Sequence, residues 1–554
     1  MSVLAAPRTR ERAPVERVPA AAVSASKRER REQVALFLGV WIAYSAIGYH
    51  YVVQHHVLTV DAVSRYAHAF FIWHNDPPKL AAVGFIWAPI STLIFLPAAA
   101  LRSLSTTLIG MPITTAAFGA GLVVILYRTF RALTMPKLQS LALVLAFAAN
   151  PMIVYYAVNG MSEVPYLFFL TFATFEFVMW FLYREPRHLI VCGIMLSLGL
   201  LTRYEVLMWG VLLVPILTVA MIRQRVSRDY LEGALIAFLA PIAYGLGLWI
   251  FLNWLIQGNA LYWLGPQAGP ATQSQLADLA AQQIDWSVTE TAVRVLSVYW
   301  HLFPPTLLVL GALAVVFVVR RGRDLMLPVL AALLLLNVAF IVALIAKTHF
   351  PGMTQLRYNM RDMPLTLVAM GWLYLVAGPR WRPVVWAVCL VATVASIPVT
   401  WRTMQTFPYQ FMEQSFTRSV GANKDQEGTA SVGWVLHKGA SYKVGVADSQ
   451  RMAAYILKMH VPRNSILTDD AQSFWVMLFS GRPDLFVDRI DQGDAHWIDL
   501  MQNPFGRVDY FLVTRQSDDR INVRYTEITQ GKVPWAHLVH HEADFYLLRI
   551  DKRA

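Results

Sequence analysis

KRERREQVALFLGVWIAYSAIGYHYVV, residues 27–53, decides which solvent this chain folds in. A basic cluster, Lys27-Arg28-Glu29-Arg30-Arg31, is followed by an apolar run from Val34 to Val53. A run of roughly 18 or more apolar residues is long enough to cross a hydrocarbon core of about 30 Å as a helix. Positive charges hold their side of a span in the cytoplasm, so this first crossing leads outward. Upstream, the Arg- and Ala-rich stretch has no small-residue cleavage site at a suitable distance beyond the apolar run. Residues 1–33 therefore read as an uncleaved cytoplasmic tail rather than a signal peptide.

The same pattern repeats as far as Thr400. With 56% of 554 residues hydrophobic and a mean hydropathy of +0.45, the chain fits a membrane solvent and no ordinary soluble one. Its formal charge of +12 does not form one basic face with interleaved aromatics, which speaks against nucleic acid. Instead Arg128, Arg131 and Lys137, then Arg184 and Arg187, then Arg223, Arg225 and Arg228, then Arg320, Arg321 and Arg323, and last Arg380 and Arg382 fall between apolar runs. One threading places all of them inside. It needs Leu80–Leu101, which holds Pro89 and Pro97 between Lys79 and Arg102, to lie in the interface without crossing.

The crossings are then Val34–Val53, Pro112–Tyr127, Leu138–Tyr156, Val164–Tyr183, Leu189–Leu201, Val206–Ile222, Leu231–Leu255, Val298–Val319, Leu325–Ala346, Pro364–Ala377 and Val384–Thr400. The fold class expected is a polytopic α-helical membrane protein of about eleven transmembrane helices over residues 34–400. From Trp401 charges and turn residues return at globular density, so residues 401–554 read as a separate extracytoplasmic domain. Strand-like Ser465–Asp469 and Val508–Thr514, with a helix-like Ala471–Ser480 between them, make that domain α/β. Cys192 and Cys389 both sit in apolar runs and predict no disulfide.

The outer ends of the spans hold the costly residues. Glu163, Arg203, Glu205, Arg357 and Arg361 would be expensive there unless paired or facing water, and Asp61 and Lys79 lie in the first outer loop. Carboxylates and guanidinium groups gathered in one cavity suit displacement at a carbon that carries a phosphate leaving group. A carboxylate takes the acceptor's proton while Arg stabilises the departing charge.

Thr59-Val60-Asp61-Ala62-Val63-Ser64-Arg65-Tyr66-Ala67, followed by Asn75-Asp76-Pro77-Pro78-Lys79-Leu80, resembles the first outer loop of the glycosyltransferase C superfamily. That group contains protein O-mannosyltransferases, lipid A aminoarabinose transferases and mycobacterial arabinofuranosyltransferases. Asn150-Pro151 with Asn159-Gly160-Met161-Ser162-Glu163 is similar to its second acidic loop, and Gly199-Leu200-Leu201-Thr202-Arg203-Tyr204-Glu205 to its Leu-Thr-Lys/Arg turn. Arg357-Tyr358 with Pro364 resembles the Arg-Tyr entry to a late span, with the Pro displaced by Asn359–Met363. The resemblance implies an inverting transferase of a bacterial cytoplasmic membrane. Its donor would be a polyprenyl-phosphate sugar and its acceptor a glycan, lipid or protein hydroxyl outside. It implies Asp61 as general base, Glu163 as a second acid, and Arg203 and Arg357 as ligands of the lipid phosphate, with Lys79, Glu205, Tyr358 and Arg361 around them. Members often pair two adjacent acids at the first position. Here Ala62 follows Asp61, so no metal-ligand pair is expected, although a divalent cation stays open as a cofactor.

Each assignment has a plainer rival. Asp61 could cap a helix starting at Ala62, Glu163 could be a solvated loop residue, Arg203 could snorkel, and Arg361 could pair with Asp362. His55-His56 and His540-His541 read as surface or interface histidines, since neighbouring side chains diverge and no second ligand pair matches. Asp469-Asp470 and Asp518-Asp519 read as turns flanking a strand, and Trp73, Trp87, Trp300 and Trp401 as interface anchors. A transporter or flippase is the rival of another class, but it would show paired internal repeats, which the sequence lacks. A surface-polysaccharide polymerase or ligase is chemically close to the transferase.

Overall fold

The computed structural model describes residues 27–84, 87–264, 286–348, 354–407, 411–422, 446–489, 494–515 and 519–552. Its membrane part is built from α1 (Lys27–Gly48), which continues as one rod to Gln54, α2 (Val60–His74), α3 (Gly110–Ala132), α4 (Lys137–Ala148), α5 (Pro151–Val158) and α6 (Glu163–Tyr183). It continues through α7 (Pro186–Leu200), α8 (Leu207–Arg223), α9 (Arg228–Gln257), α10 (Val288–Leu302), α11 (Pro305–Val319), α12 (Met326–Thr348), α13 (Asp362–Val376) and α14 (Arg382–Thr406). Among the described residues seven helices are individually long and apolar enough to cross a membrane, and two bent pairs bring the number to nine.

Burial separates the bundle centre from its lipid face. The most apolar window of α6 is 83% buried, whereas those of α1, α9 and α14 are 22% buried and apolar on every side. A helix apolar all round yet largely uncovered is stable only where hydrocarbon is the solvent. Around α6 pack α3 and α7, and α7 lies in turn against α9. There a Cβ on Gly193 would stand 2.3 Å from the carbonyl oxygen of Phe238, so only glycine lets these backbones approach.

Two expected straight spans are bent, each at a proline. Leu138–Tyr156 is divided into α4 and α5 with a 69° turn, because Pro151 cannot donate to the ladder and the Asn150 side chain caps α5 by accepting from the Met152 N–H. Val298–Val319 is divided into α10 and α11, which meet at 109° where Pro304 and Pro305 end the helix at Leu302. Leu80–Leu101 breaks into a turn at Leu80–Val83 and the short helices Ile90–Leu93 and Leu96–Ala99, in keeping with a segment that does not cross.

α14 runs to Thr406, so the expected boundary at Trp401 falls inside a helix. Beyond it come α15 (Phe411–Ala422), α16 (Val446–Met459) and α17 (Asp470–Ser480). Five strands, β1 (Ile466–Thr468), β2 (Phe486–Val487), β3 (Tyr510–Thr514), β4 (Ala536–Glu542) and β5 (Phe545–Ile550), form one sheet in the order β2-β1-β3-β5-β4. The first three are parallel, and β5 joins β3 and β4 antiparallel. This α/β unit seats α17 on α2. Arg463 reaches Asp76 at 2.7 Å, and the Arg102 guanidinium donates to the Gly481 carbonyl.

Candidate active site

Four segments far apart in sequence meet at one end of the bundle. The start of α2 carries Asp61 and, one turn on, Arg65. Thr59 precedes the helix and Asp61 lies inside its first turn, so Asp61 is not the cap that the cap reading required. Its carboxylate enters no hydrogen bond or ion pair among the described residues, and its charge acts on Arg65 and Arg357. Gly160 brings the second loop past this helix. It has φ +80°, and a Cβ there would lie 3.1 Å from that of Ala62 and 2.3 Å from Met111 Cγ. The loop then enters α6 at Glu163, whose side chain is 2% exposed.

The turn between α7 and α8 supplies the centre. Arg203 donates to Glu163 at 2.9 Å and grips Glu205 with two bonds, of 2.9 and 3.2 Å. Glu163 is thus buried and paired, not a solvated loop residue. The fourth segment, before α13, carries Arg357, Tyr358 and Arg361. Arg357 donates to the Gln355 amide oxygen at 2.8 Å and to the Tyr358 hydroxyl at 3.0 Å, both neutral partners. The two guanidinium groups flank the Tyr358 ring, at 5.7 Å for Arg203 and 4.9 Å for Arg357. Arg361 donates to the Tyr358 carbonyl, and its buried Nη1 has no partner among the described residues. It forms no ion pair with Asp362, which instead accepts from Asn337 at 3.3 Å.

A narrow cavity of about 10 Å³ is lined by Glu163, Tyr166, Leu167, Arg203, Glu205, Arg357, Tyr358, Met360 and Arg361. Lys79 is not part of that lining. It opens the turn at Leu80–Val83. Parts of the expected outer loops, residues 265–285 and 349–353, lie outside the described residues.

Two further charges belong here. Arg65 is 4% exposed, with the Trp87 ring 4.3 Å from its guanidinium carbon and Met161 Sδ 3.5 Å from Nη1, while its Nε is buried without a hydrogen-bond partner among the described residues. Asp61, Glu163, Arg203 and Arg357 all act on it electrostatically. Trp87, expected at the interface, thus faces the site. Glu413 on α15 is 2% exposed and accepts from the Tyr156 hydroxyl at 2.6 Å. Burial raises its pKa, with the Tyr156 hydrogen bond opposing that, and the charges of Arg357 and Glu163 reach it.

The donor set does not fit a divalent cation. Among the described residues no three His, Cys, Asp or Glu side chains gather as ligands, and Glu163 and Glu205 are already compensated by Arg203. His540 stacks on Tyr455 at 3.8 Å and His541 lies against Tyr546 at 4.4 Å. Asp469 and Asp519 cap the helices that follow β1 and β3, while Asp518 lies outside the described residues.

No family model matches the chain, and no curated protein matches it by sequence. Solved structures do match by shape. ArnT from Cupriavidus metallidurans bound to undecaprenyl phosphate superposes with a TM-score of 0.53 at 11% identity, over 95% of this chain and 98% of that one. The same protein in the apo state gives 0.54 at 12%, over 94% and 98%. At such identities the likeness speaks for architecture alone, and in architecture this chain shares the fold of ArnT.

Proposed function

We propose that this chain is a membrane glycosyltransferase that moves a sugar from a polyprenyl-phosphate carrier to a hydroxyl outside the cytoplasmic membrane of a bacterium. The observation that carries the reading is the unequal commitment of the site's charges. Arg203 is neutralised by two carboxylates, whereas among the described residues Arg357 and Arg65 have only neutral partners within bonding distance. Among the acids, Glu163 and Glu205 are tied to Arg203, and Asp61 is not. An uncommitted carboxylate beside uncompensated guanidinium groups is what in-line displacement at an anomeric carbon needs.

In that reaction the acceptor oxygen attacks the anomeric carbon on the face away from the phosphate, and Asp61 takes its proton. The bond from carbon to phosphate oxygen breaks with its electron pair, inverting the centre. Arg357, backed by Arg65, stabilises the phosphate monoester that departs. Arg203 holds Glu163 and Glu205 in place, and no metal step is needed. That the ArnT structure holds undecaprenyl phosphate supports a donor of this lipid class. The tail would lie inside and the α/β unit outside, over the cavity, where it selects the acceptor.

The test is transfer by the purified full-length protein from a panel of radiolabelled polyprenyl-phosphate sugars to glycan, lipid and peptide acceptors. Label should reach an acceptor from at least one donor. Failure across the panel, with flux of lipid-linked substrate through proteoliposomes, would establish the transporter reading, which the two bent helix pairs favour.

A further inference from the structure

We infer that the end of the bundle opposite the candidate active site holds an anionic-phospholipid site built around Arg184. α6 begins at Glu163 and ends at Tyr183, so it separates the two places by roughly 30 Å. At its far end a cavity of about 350 Å³ is lined by Trp180, Arg184, Met221, Gln224, Val226, Ser227 and Tyr230, from the ends of α6 and α8 and the start of α9. This size suits a small polar headgroup.

The lining is prepared for an anion. Arg184 closes α6 in the left-handed conformation, φ +61°, and its carbonyl is pinned by the Tyr230 hydroxyl at 2.9 Å. The guanidinium carbon lies 4.5 Å from the Trp180 ring and 4.6 Å from that of Phe181, which holds it by cation–π attraction without neutralising it. Its Nη1 is buried without a hydrogen-bond partner among the described residues. Trp180, fully buried, also lines the cavity with an indole N–H that has none. Two residues that each hold an unspent donor therefore line one pocket. Ser227 caps the N-terminus of the 30-residue α9 at its edge, where the helix dipole favours negative charge.

Two of the acids nearby are already occupied, Glu185 by Arg187 and Glu232 by Arg228, and the third, Asp229, is exposed to solvent. Arg223 and Arg225, exposed and adjacent in sequence to the lining residues Gln224 and Val226, add positive charge to this loop. Apolar Met221 and Val226 beside these donors match the junction of headgroup and acyl chain, which selects a lipid over a free anion.

The test is native mass spectrometry of the full-length protein released from mixed micelles with dioleoyl-phosphatidylglycerol or dioleoyl-phosphatidylcholine. The wild type should retain one phosphatidylglycerol and little phosphatidylcholine. Arg184→Gln should weaken retention roughly tenfold or more. Arg184→Lys should fall between, because it keeps the charge without the planar fork. Arg321→Gln, in another basic loop, should change nothing. Should Arg184→Gln misfold, Trp180→Phe keeps a ring, removes the indole donor and should lower retention on its own. Equal retention by wild type and a folded Arg184→Gln or Trp180→Phe would overturn the site, as would phosphatidylcholine binding equally well. Displacement of phosphatidylglycerol by millimolar inorganic phosphate would overturn the lipid assignment. Sugar transfer plays no part in the readout, so this inference stands or falls apart from the transferase reading.

Discussion

Replacing Asp61 by Asn separates chemistry from folding more cleanly than any other single change in the site. The residue lies in the first turn of α2 and makes no hydrogen bond or ion pair among the described residues, so the fold loses only its longer-range attraction to Arg65 and Arg357 and a favourable interaction with the helix dipole. That interaction is worth about 0.3–1 kcal/mol at a partly exposed position. Loss of a general base removes roughly 10²–10⁴ in rate, about 3–5 kcal/mol of barrier. The kinetic effect is thus several times the structural one. In detergent or nanodiscs, the Asp61→Asn enzyme should melt close to the wild type and bind the active polyprenyl-phosphate sugar normally. Single-turnover transfer should fall by at least a hundredfold. Near-normal turnover by a folded variant would remove Asp61 from the mechanism. The base would then have to be Glu163, which must first leave Arg203.

Other consequences are as direct. Arg357→Ala should raise the donor KM roughly 10–100-fold with a stable fold, because neutral partners are all it leaves behind. Arg203→Ala should instead lower stability by about 3–5 kcal/mol, since it strands the buried Glu163 charge; a melting curve matching the wild type would contradict this. Glu413 titrates above the ordinary carboxylate range because it is buried, so its contribution is full at acid pH and declines as pH rises through the raised pKa. Glu413→Gln should therefore match the wild type near pH 5 and melt higher near pH 8, and a variant less stable at pH 8 would reverse the sign. A reporter active only outside should work after Ala554 and fail at Arg225 if the positive clusters set the threading.

Much of this architecture was legible because apolar length acts locally. Pro89 and Pro97 marked a segment that breaks into short helices, and Asp469 and Asp470 marked a turn into a helix. The bends were written in the chain as well, at Asn150-Pro151 and at Pro304-Pro305, yet hydropathy alone reads through a proline. β4 and β5 were missed because neither AHLVHHE nor FYLLRI alternates apolar and polar residues. Of the site, the Thr202–Glu205 turn and Arg357–Arg361 were readable because charge at a span end is costly. Whether an arginine is spent on a neighbour was not readable, and this is what divides Arg203 from Arg357. Arg65 stood inside a quoted motif with nothing to mark it as buried. Glu413 had no local signal, since its partner Tyr156 is 257 positions away.

Glu413 also sets where the chain can be cut. A graft that exchanges the soluble unit at Trp401 would sever α14, discard the acid that receives the Tyr156 hydroxyl, and remove the Phe416 ring stacked on Tyr155 at 4.8 Å. The membrane portion must therefore travel with everything through Ala422, and chimaeras meant to swap acceptor preference should be spliced after that residue.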